Sequence, residues 1–221
     1  MKNNYGNGKL GYKVIKGDNG YNHRFGGSSW KLPICENCIK EIHQIITLDL
    51  KDPRLSEVLG IINKELPLVS CLNCSSSWSN QCFKIDFENK EVKVLNIEDN
   101  IHEVLEDDIC FPVPLKEIKI KLDELSEDER PTDEESFENA IEVFGEEYFC
   151  RILGDPLWLE QSLNTKCIIC NDEMIYVGMV GSQAWGSKPI IEDKEFYIGE
   201  HNLYFSICKK CNLLHVECQG S

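Results

Sequence analysis

Cysteine pairs separated by two residues recur four times in this chain and constrain its fold more than any other feature. The pairs are Cys35 with Cys38, Cys71 with Cys74, Cys167 with Cys170, and Cys208 with Cys211. A CxxC turn directs two thiolates toward one ion, and two such turns complete the tetrahedral four-thiolate shell of a structural zinc site. We therefore expect two structural zinc ions, one bound by the first four cysteines and one by the last four.

Other uses of the cysteines fit this chain less well. Disulfide frameworks are typical of secreted chains shorter than about 100 residues, whereas this chain has 221 residues, is 42% hydrophobic and does not begin with an apolar signal segment. A thioredoxin-like redox site needs one CxxC pair at the start of a helix. We expect a reduced, cytoplasmic protein, with unligated thiols and redox chemistry as the alternatives. The cysteines outside the pairs are expected to be small buried hydrophobic residues: Cys82, Cys110, Cys150 and Cys218.

The chain is strongly acidic. It has 38 Asp and Glu against 23 Lys and Arg, a formal net charge of −15, and each four-thiolate site around a divalent ion adds about −2. Such a surface repels phosphate backbones and attracts basic molecules. The sequence also has no apolar run of about 18 residues, the length that a membrane helix needs. We predict a basic protein partner, and neither nucleic acid nor membrane as a partner.

The residues around the cysteines repeat as well. Residues 26–30 (GGSSW) precede the first pair and residues 154–158 (GDPLW) precede the third. Strand-like stretches follow the first and third pairs, at 42–50 and 174–180, and others precede the second and fourth pairs, at 66–69 and 203–207. Each copy therefore reads as one structural unit. Gly26 and Gly154 are expected at positive φ, and Trp30 and Trp158 in the core.

The segments between the pairs predict further elements. Asp52 and Pro53 predict the start of a short helix, and residues 181–200 predict a loop with a strand near 196–198. Between the copies, residues 81–87 and 91–97 predict a hairpin, and the alternating residues 115–122 a strand with one buried face. A helix is predicted over 133–144, with a capping box formed by Thr132 and Glu135 and with Gly145 as its stop.

The most acidic stretch coincides with this last helix. Residues 123–147 contain twelve carboxylates and one basic residue, Arg130. Two interpretations remain open: a solvated helix face with a flexible loop, or a docking strip for a basic partner. Together with the repeat, this stretch predicts a first copy at 1–110 that includes an N-terminal extension and the hairpin, an acidic connector at 111–147 and a second copy at 148–221, all within one compact unit.

The ordered motifs, a Gly turn and Trp, CxxC, strand, strand and CxxC, resemble those of the TYPP family of YwqG-like and programmed cell death protein-like proteins. The resemblance extends from about Phe25 to Cys218 and is stronger in the second copy, where Pro156 matches the family pattern and Ser28 in the first copy does not. It implies a β-rich α+β fold in which two related, zinc-knuckle-bearing copies pack with pseudo-twofold character. It also implies a chaperone-like role toward a ribosomal protein, or an immunity role against a toxin.

An enzyme is the alternative of a different class. Catalytic zinc needs an open coordination position, and four cysteine ligands leave none. The sequence also contains no HExxH, GxSxG or Walker pattern. His215, four residues after Cys211, is a possible replacement for a cysteine ligand, although a strand histidine bonded to backbone is favoured. The sequence thus predicts a non-catalytic, zinc-stabilised module that binds a basic protein client.

Overall fold

A computed structural model describes residues 5–98, 102–106, 110–160, 165–184 and 195–220. These residues form one curled sheet of eleven strands, two α-helices and a short 3₁₀ helix. The strands are β1 Gly11–Lys16, β2 Arg24–Phe25, β3 His43–Asp49, β4 Glu65–Ser70, β5 Gln81–Asp86, β6 Glu91–Ile97, β7 Ile118–Glu124, β8 Cys150–Leu153, β9 Ile175–Val180, β10 His201–Cys208 and β11 Leu213–Gly220. The helices are α1 Pro53–Leu59, α2 Glu134–Val143 and the 3₁₀ helix Ser75–Trp78. The prediction of a β-rich protein is confirmed.

The strands follow the order β4-β3-β2-β7-β1-β8-β9-β10-β11-β5-β6, and each neighbouring pair is antiparallel. The strands predicted beside the cysteine pairs exist and lie next to each other, as β3 with β4 and β9 with β10. The predicted hairpin is β5 with β6. Because β5 pairs with β11 on its other side, the strand that follows the second cysteine pair joins the one that follows the fourth.

Helix α1 begins as the sequence predicts. The Asp52 carboxylate accepts a hydrogen bond from the Arg54 N–H at the helix N-terminus, and Gly60 ends the helix at φ 65°. Asp52 is fully buried, and its Oδ2 lies 3.2 Å from His23 Nε2. The Asp49 N–H donates to His23 Nδ1, so Nε2 carries the imidazole proton and donates it to Asp52. This polar cluster fixes α1 against the sheet.

Helix α2 exists, but the predicted capping box is wrong. The N-cap is Asp133, whose carboxylate accepts from the Ser136 N–H, while the Ser136 hydroxyl accepts from the Asp133 N–H. A Thr–Glu pair and an Asp–Ser pair can both form a capping box. Here Asp133 accepts from the free N–H groups of the first turn, one position later than Thr132 would. The helix ends before Phe144, and Gly145 follows at φ 99°.

Residues 196–198 do not form a strand, so the prediction of a strand near these residues is wrong. The Gln183 N–H donates to the Phe196 carbonyl, and the Ile198 N–H donates to the Ser182 hydroxyl. These bonds hold the segment against residues 182–183 without a ladder. Hydrophobic side chains favoured a strand here, but Phe196 is buried as a core residue of a loop.

The main core lies inside the curl of the sheet and joins its two halves. Phe25 on β2 contacts Phe149 and Phe196 edge to face, with ring centroids 6.0 and 5.5 Å apart. Phe149 and Phe196 stack at 4.8 Å. A separate apolar cluster lies outside the curl, where α2 packs through Ala140 against Met179 and its neighbours. The connector therefore supplies both a strand inside the sheet and a helix that covers its outer face.

The glycines and Trp30 of the introducing motifs are placed as predicted, and the prediction of a core position is only partly met at Trp158. Gly26 and Gly154 have φ of 66° and 73°. Trp30 is buried, whereas Trp158 is only partly buried and stacks on Tyr204 with ring centroids 4.6 Å apart. The division of the chain at residues 110 and 147 remains a prediction.

Replacing Gly26 should test how closely the end of β2 and the segment before β7 must approach. A Cβ at Gly26 would lie 2.3 Å from the Lys116 carbonyl oxygen, while a Cβ at Gly20, which also has positive φ, would meet nothing within 4 Å. Gly26→Ala should lower the free energy of unfolding by about 3 kcal/mol, and the matched Gly20→Ala by about 1 kcal/mol, since only the first adds a backbone clash to the strained φ. Urea denaturation measures both; equal losses would contradict the close approach.

Candidate metal centres

The first four paired cysteines converge on one point. The sulfur atoms of Cys35, Cys38, Cys71 and Cys74 all lie within 4.8 Å of one another. The sulfur–sulfur separations are 3.6 Å from Cys35 to Cys74, 3.5 Å from Cys38 to Cys71 and 3.3 Å from Cys71 to Cys74. Four sulfurs about 2.3 Å from a tetrahedral ion lie about 3.8 Å apart. The group is therefore close to the size of a metal-binding shell and far from disulfide bonding distance.

The last four paired cysteines form a second group of the same kind. The sulfur atoms of Cys167, Cys170, Cys208 and Cys211 also lie within 4.8 Å of one another, and Cys170 is 3.7 Å from Cys208. Cys167 and Cys208 are buried, while Cys170 and Cys211 are partly exposed. The structure thus brings the eight cysteines predicted as ligands into two groups, each able to hold a metal ion.

The first CxxC turn of each group has the same backbone hydrogen bonds. The Cys35 N–H donates to the Lys40 carbonyl and the Ile39 N–H to the Cys35 carbonyl, at 2.8 and 2.9 Å. Likewise, the Cys167 N–H donates to Asp172 and the Asn171 N–H to Cys167, at 2.9 and 2.8 Å.

The fourth residue after each leading cysteine adopts a left-handed conformation. Ile39 has φ 57° and Asn171 has φ 61°. Asparagine tolerates this conformation, whereas a β-branched residue adopts it only under constraint. The first turn therefore keeps its shape against the local preference of Ile39, which is consistent with the demand that both thiols face inward.

The second CxxC of each group is placed by different elements. Cys71 follows β4, and the Leu72 N–H between the two cysteines donates to His43 Nδ1 on β3 at 3.2 Å. Cys208 is the last residue of β10, and Cys211 lies in the tight connection to β11. Because β10 and β11 continue directly from this connection, the second group is part of a hairpin, whereas the first is completed by a turn leading to the 3₁₀ helix.

The thiols of the first group influence one another's ionisation. Hydrogen bonds from Cys71 and Cys74 lower the pKa of Cys35, and the hydrogen bond to Cys35 raises the pKa of Cys71. Burial raises the pKa of Cys38 to about 11. One thiolate is thus stabilised by its neighbours, while further negative charge is opposed by burial and by like charge. A divalent cation reverses that opposition, so metal binding is coupled to proton release.

The four remaining cysteines lie outside both groups. Cys82 and Cys150 are buried, as predicted, but Cys110 and Cys218 are only partly buried. Cys82 on β5 packs against the second group beside Cys167 and Cys208. Its position was not foreseen, because Cys82 lies 85 residues before Cys167 and only the pairing of β5 with β11 brings them together.

His215 does not enter the second group. It lies on β11, opposite Ser206 on β10 and Cys82 on β5, while the four sulfur atoms assemble without it. The favoured interpretation, a histidine within a strand, agrees with this placement. Burial lowers its pKa.

Comparison with known proteins gives no further guide to the site. No family model matches this chain, and no curated protein or solved structure matches it. In the described part of the chain, no helix combines the length and the apolar character required to cross a membrane.

Two buried histidines should make folding sensitive to acid. Burial lowers the pKa of His43 and His201 to about 4, compared with about 6.5 in an unfolded chain. Both are therefore neutral in the folded protein, and their contribution to stability is present above about pH 6.5 and is lost as the pH falls toward about 4. His201→Gln should reduce the fall in melting temperature between about pH 7 and about pH 5, because one group no longer titrates. An unchanged fall would show that His201 does not contribute.

Proposed function

We propose that this chain is a cytoplasmic, non-catalytic protein, stabilised by two structural zinc ions, that binds a basic protein client. The observation that carries the proposal is the convergence of eight cysteines into two four-sulfur groups in a chain with a net charge of −15. Four thiolates are the ligand set typical of structural zinc. The surplus of carboxylates favours encounter with a positively charged macromolecule.

The ligand set supports a structural role for the metal. Catalytic zinc commonly has three protein ligands and one exchangeable water. Here each group offers four sulfurs at mutual distances suited to a closed tetrahedral shell, which leaves no position for a substrate. A zinc- or thiol-dependent enzyme is the alternative, and it would require one of the four thiols to leave the shell.

We further propose that the chain is internally duplicated and related to the TYPP family. The supporting observations are the matched hydrogen bonds of the turns at Cys35 and Cys167 and the positive φ of Gly26 and Gly154. In addition, β2, β3 and β4 occur in the same order around the first group as β8, β9 and β10 around the second. Zinc knuckles and a pseudo-twofold arrangement of the copies are part of this proposal.

The client is proposed to be a ribosomal protein or a toxin, since both are commonly basic. A chaperone would bind the first and an immunity protein would inhibit the second. Neighbouring genes discriminate between them: a secreted toxin gene favours immunity, and translation genes favour a chaperone. In both cases electrostatic attraction speeds the encounter, and apolar contacts slow dissociation.

The metal assignment predicts both stoichiometry and position. Purified protein should contain about two zinc ions per chain. Cys35→Ser should retain about one zinc ion per chain and melt at a lower temperature, because the first group of four cysteines loses a thiolate ligand. Cys110→Ser is the matched control: Cys110 is partly buried, its Sγ accepts a hydrogen bond from Lys40 Nζ, and it lies outside both groups. Elemental analysis and thermal melting measure these outcomes, and equal zinc content and melting of the two variants would refute the ligand assignment.

The client assignment predicts a salt-dependent association. A basic protein captured from the native cell should associate more slowly as salt rises, because charges at the surface are screened beyond about 8 Å at physiological ionic strength. Replacing Glu134, Glu135 and Glu138 with Gln should slow association while leaving the zinc content unchanged. Asp133 is excluded from the set because it caps α2. Stopped-flow mixing measures the rates, and an acidic client or rates indifferent to salt would overturn the assignment.

A further inference from the structure

A groove lies between helix α2 and residues 158–159, at the end of the second Gly motif. It has a volume of about 470 Å³. Its lining residues are Tyr5, Glu134, Phe137, Glu138, Ile141, Glu142, Trp158 and Leu159. The floor is largely aromatic and apolar: the rings of Tyr5 and Phe137 meet edge to face at 5.8 Å, and Ile141 is 38% exposed.

One wall of the groove carries a row of carboxylates. Glu134, Glu138 and Glu142 are spaced four residues apart on α2, and all three are exposed. Residues with this spacing lie on the same face of a helix, about 6 Å apart along its axis. None of the three forms a salt bridge with the described residues of the chain. An apolar floor is thus bordered by negative charge that the described part of the protein does not neutralise.

The chemistry of this groove matches an arginine side chain more closely than any other. The flat face of a guanidinium stacks on an aromatic ring, and its N–H groups donate in the guanidinium plane to a carboxylate. Aromatic rings beside glutamates therefore offer a partner to both the face and the N–H edge. The spacing also fits an extended peptide. Alternate residues of a strand point to the same side about 6.6 Å apart, close to the separation of successive glutamates on α2.

We propose that this groove binds an extended basic segment of the partner, with arginines at alternate positions directed toward Glu134, Glu138 and Glu142. This inference rests on the proposed function of binding a basic protein, and it adds where and how the partner is recognised. Stacking on the aromatic floor contributes binding free energy that salt does not screen. The carboxylates contribute binding free energy that falls as salt rises.

The test compares two variants with the same charge. In the groove variant, Glu134, Glu138 and Glu142 become Gln. In the control variant, Glu127, Glu135 and Glu146 become Gln; these are exposed carboxylates of the same acidic stretch that do not line the groove. Glu134 and Glu135 both lie in the first turn of α2, so the two variants lose the same favourable interaction with the helix N-terminus. Melting temperatures and zinc contents check that both variants fold.

The probe is a fluorescein-labelled peptide, Gly-Arg-Gly-Arg-Gly-Arg amide, whose binding to the full chain is followed by anisotropy at physiological salt. The groove variant should bind about tenfold more weakly than the unmodified protein, as expected for the loss of three partly exposed charge pairs. The control variant should change by less than about threefold, because distant charges are screened. Tyr5→Ala should weaken binding at both low and high salt.

Equal weakening by the groove and control variants would overturn the groove and leave only general attraction by the acidic surface. No binding of the peptide to the unmodified protein would overturn it as well. The proposed function is judged separately, with the captured client. A basic client that binds both variants equally refutes the groove but not the function, whereas a peptide specific for the groove together with an acidic client refutes the function but not the groove.

Discussion

The convergence of four sulfur atoms at each of two points is the constraint on which the connections of the sheet depend. Cys35 and Cys74 lie 39 residues apart and their sulfurs approach to 3.6 Å, which requires the turn before β3 and the turn after β4 to meet. Ile34 and Ile39 of the first turn stay 54% and 72% exposed, so their burial contributes little to this meeting. Closure through sulfur therefore sets where β3 begins and β4 ends, and the equivalent closure at Cys170 and Cys208 does the same for the start of β9 and the end of β10.

The two faces of the curled sheet pack against different groups of residues. Inside the curl, Phe25, Phe149 and Phe196 join strands from both halves of the chain. Outside it, α2 buries Ala140 against the sheet and directs its glutamates outward. The same helix is thus attached by one face and charged on the other, which gives the acidic stretch a rigid support. The exposed carboxylates of α2 agree with a solvated helix face, and the docking of a basic partner on that face stays a prediction.

Short sequence motifs predicted helix ends correctly where a single residue provides the hydrogen bond or backbone angle that the helix end requires. Asp52 caps α1 and Pro53 begins it, because the cap needs only an acceptor beside free N–H groups and proline lacks an N–H to leave unpaired. The same reasoning failed at α2, where Thr132 and Asp133 can both cap a helix. Asp133 is the cap because it forms reciprocal hydrogen bonds with Ser136. Hydrophobic content failed at residues 196–198, because a buried Phe196 is compatible with a loop as well as with a strand.

The sequence by itself determined the two sets of four cysteines able to hold a metal ion, the strands that flank them and the acidic character, since CxxC spacing, hydrophobic pattern and charge are properties of short segments. Only the tertiary structure decided that β5, besides its hairpin with β6, pairs with β11 of the other half, that Cys82 consequently packs beside the second sulfur group, and that Tyr5 and Trp158 meet α2 in one groove. Each of these joins residues far apart in the chain. Such contacts depend on how whole elements pack around a shared core, a choice that no short stretch of sequence encodes.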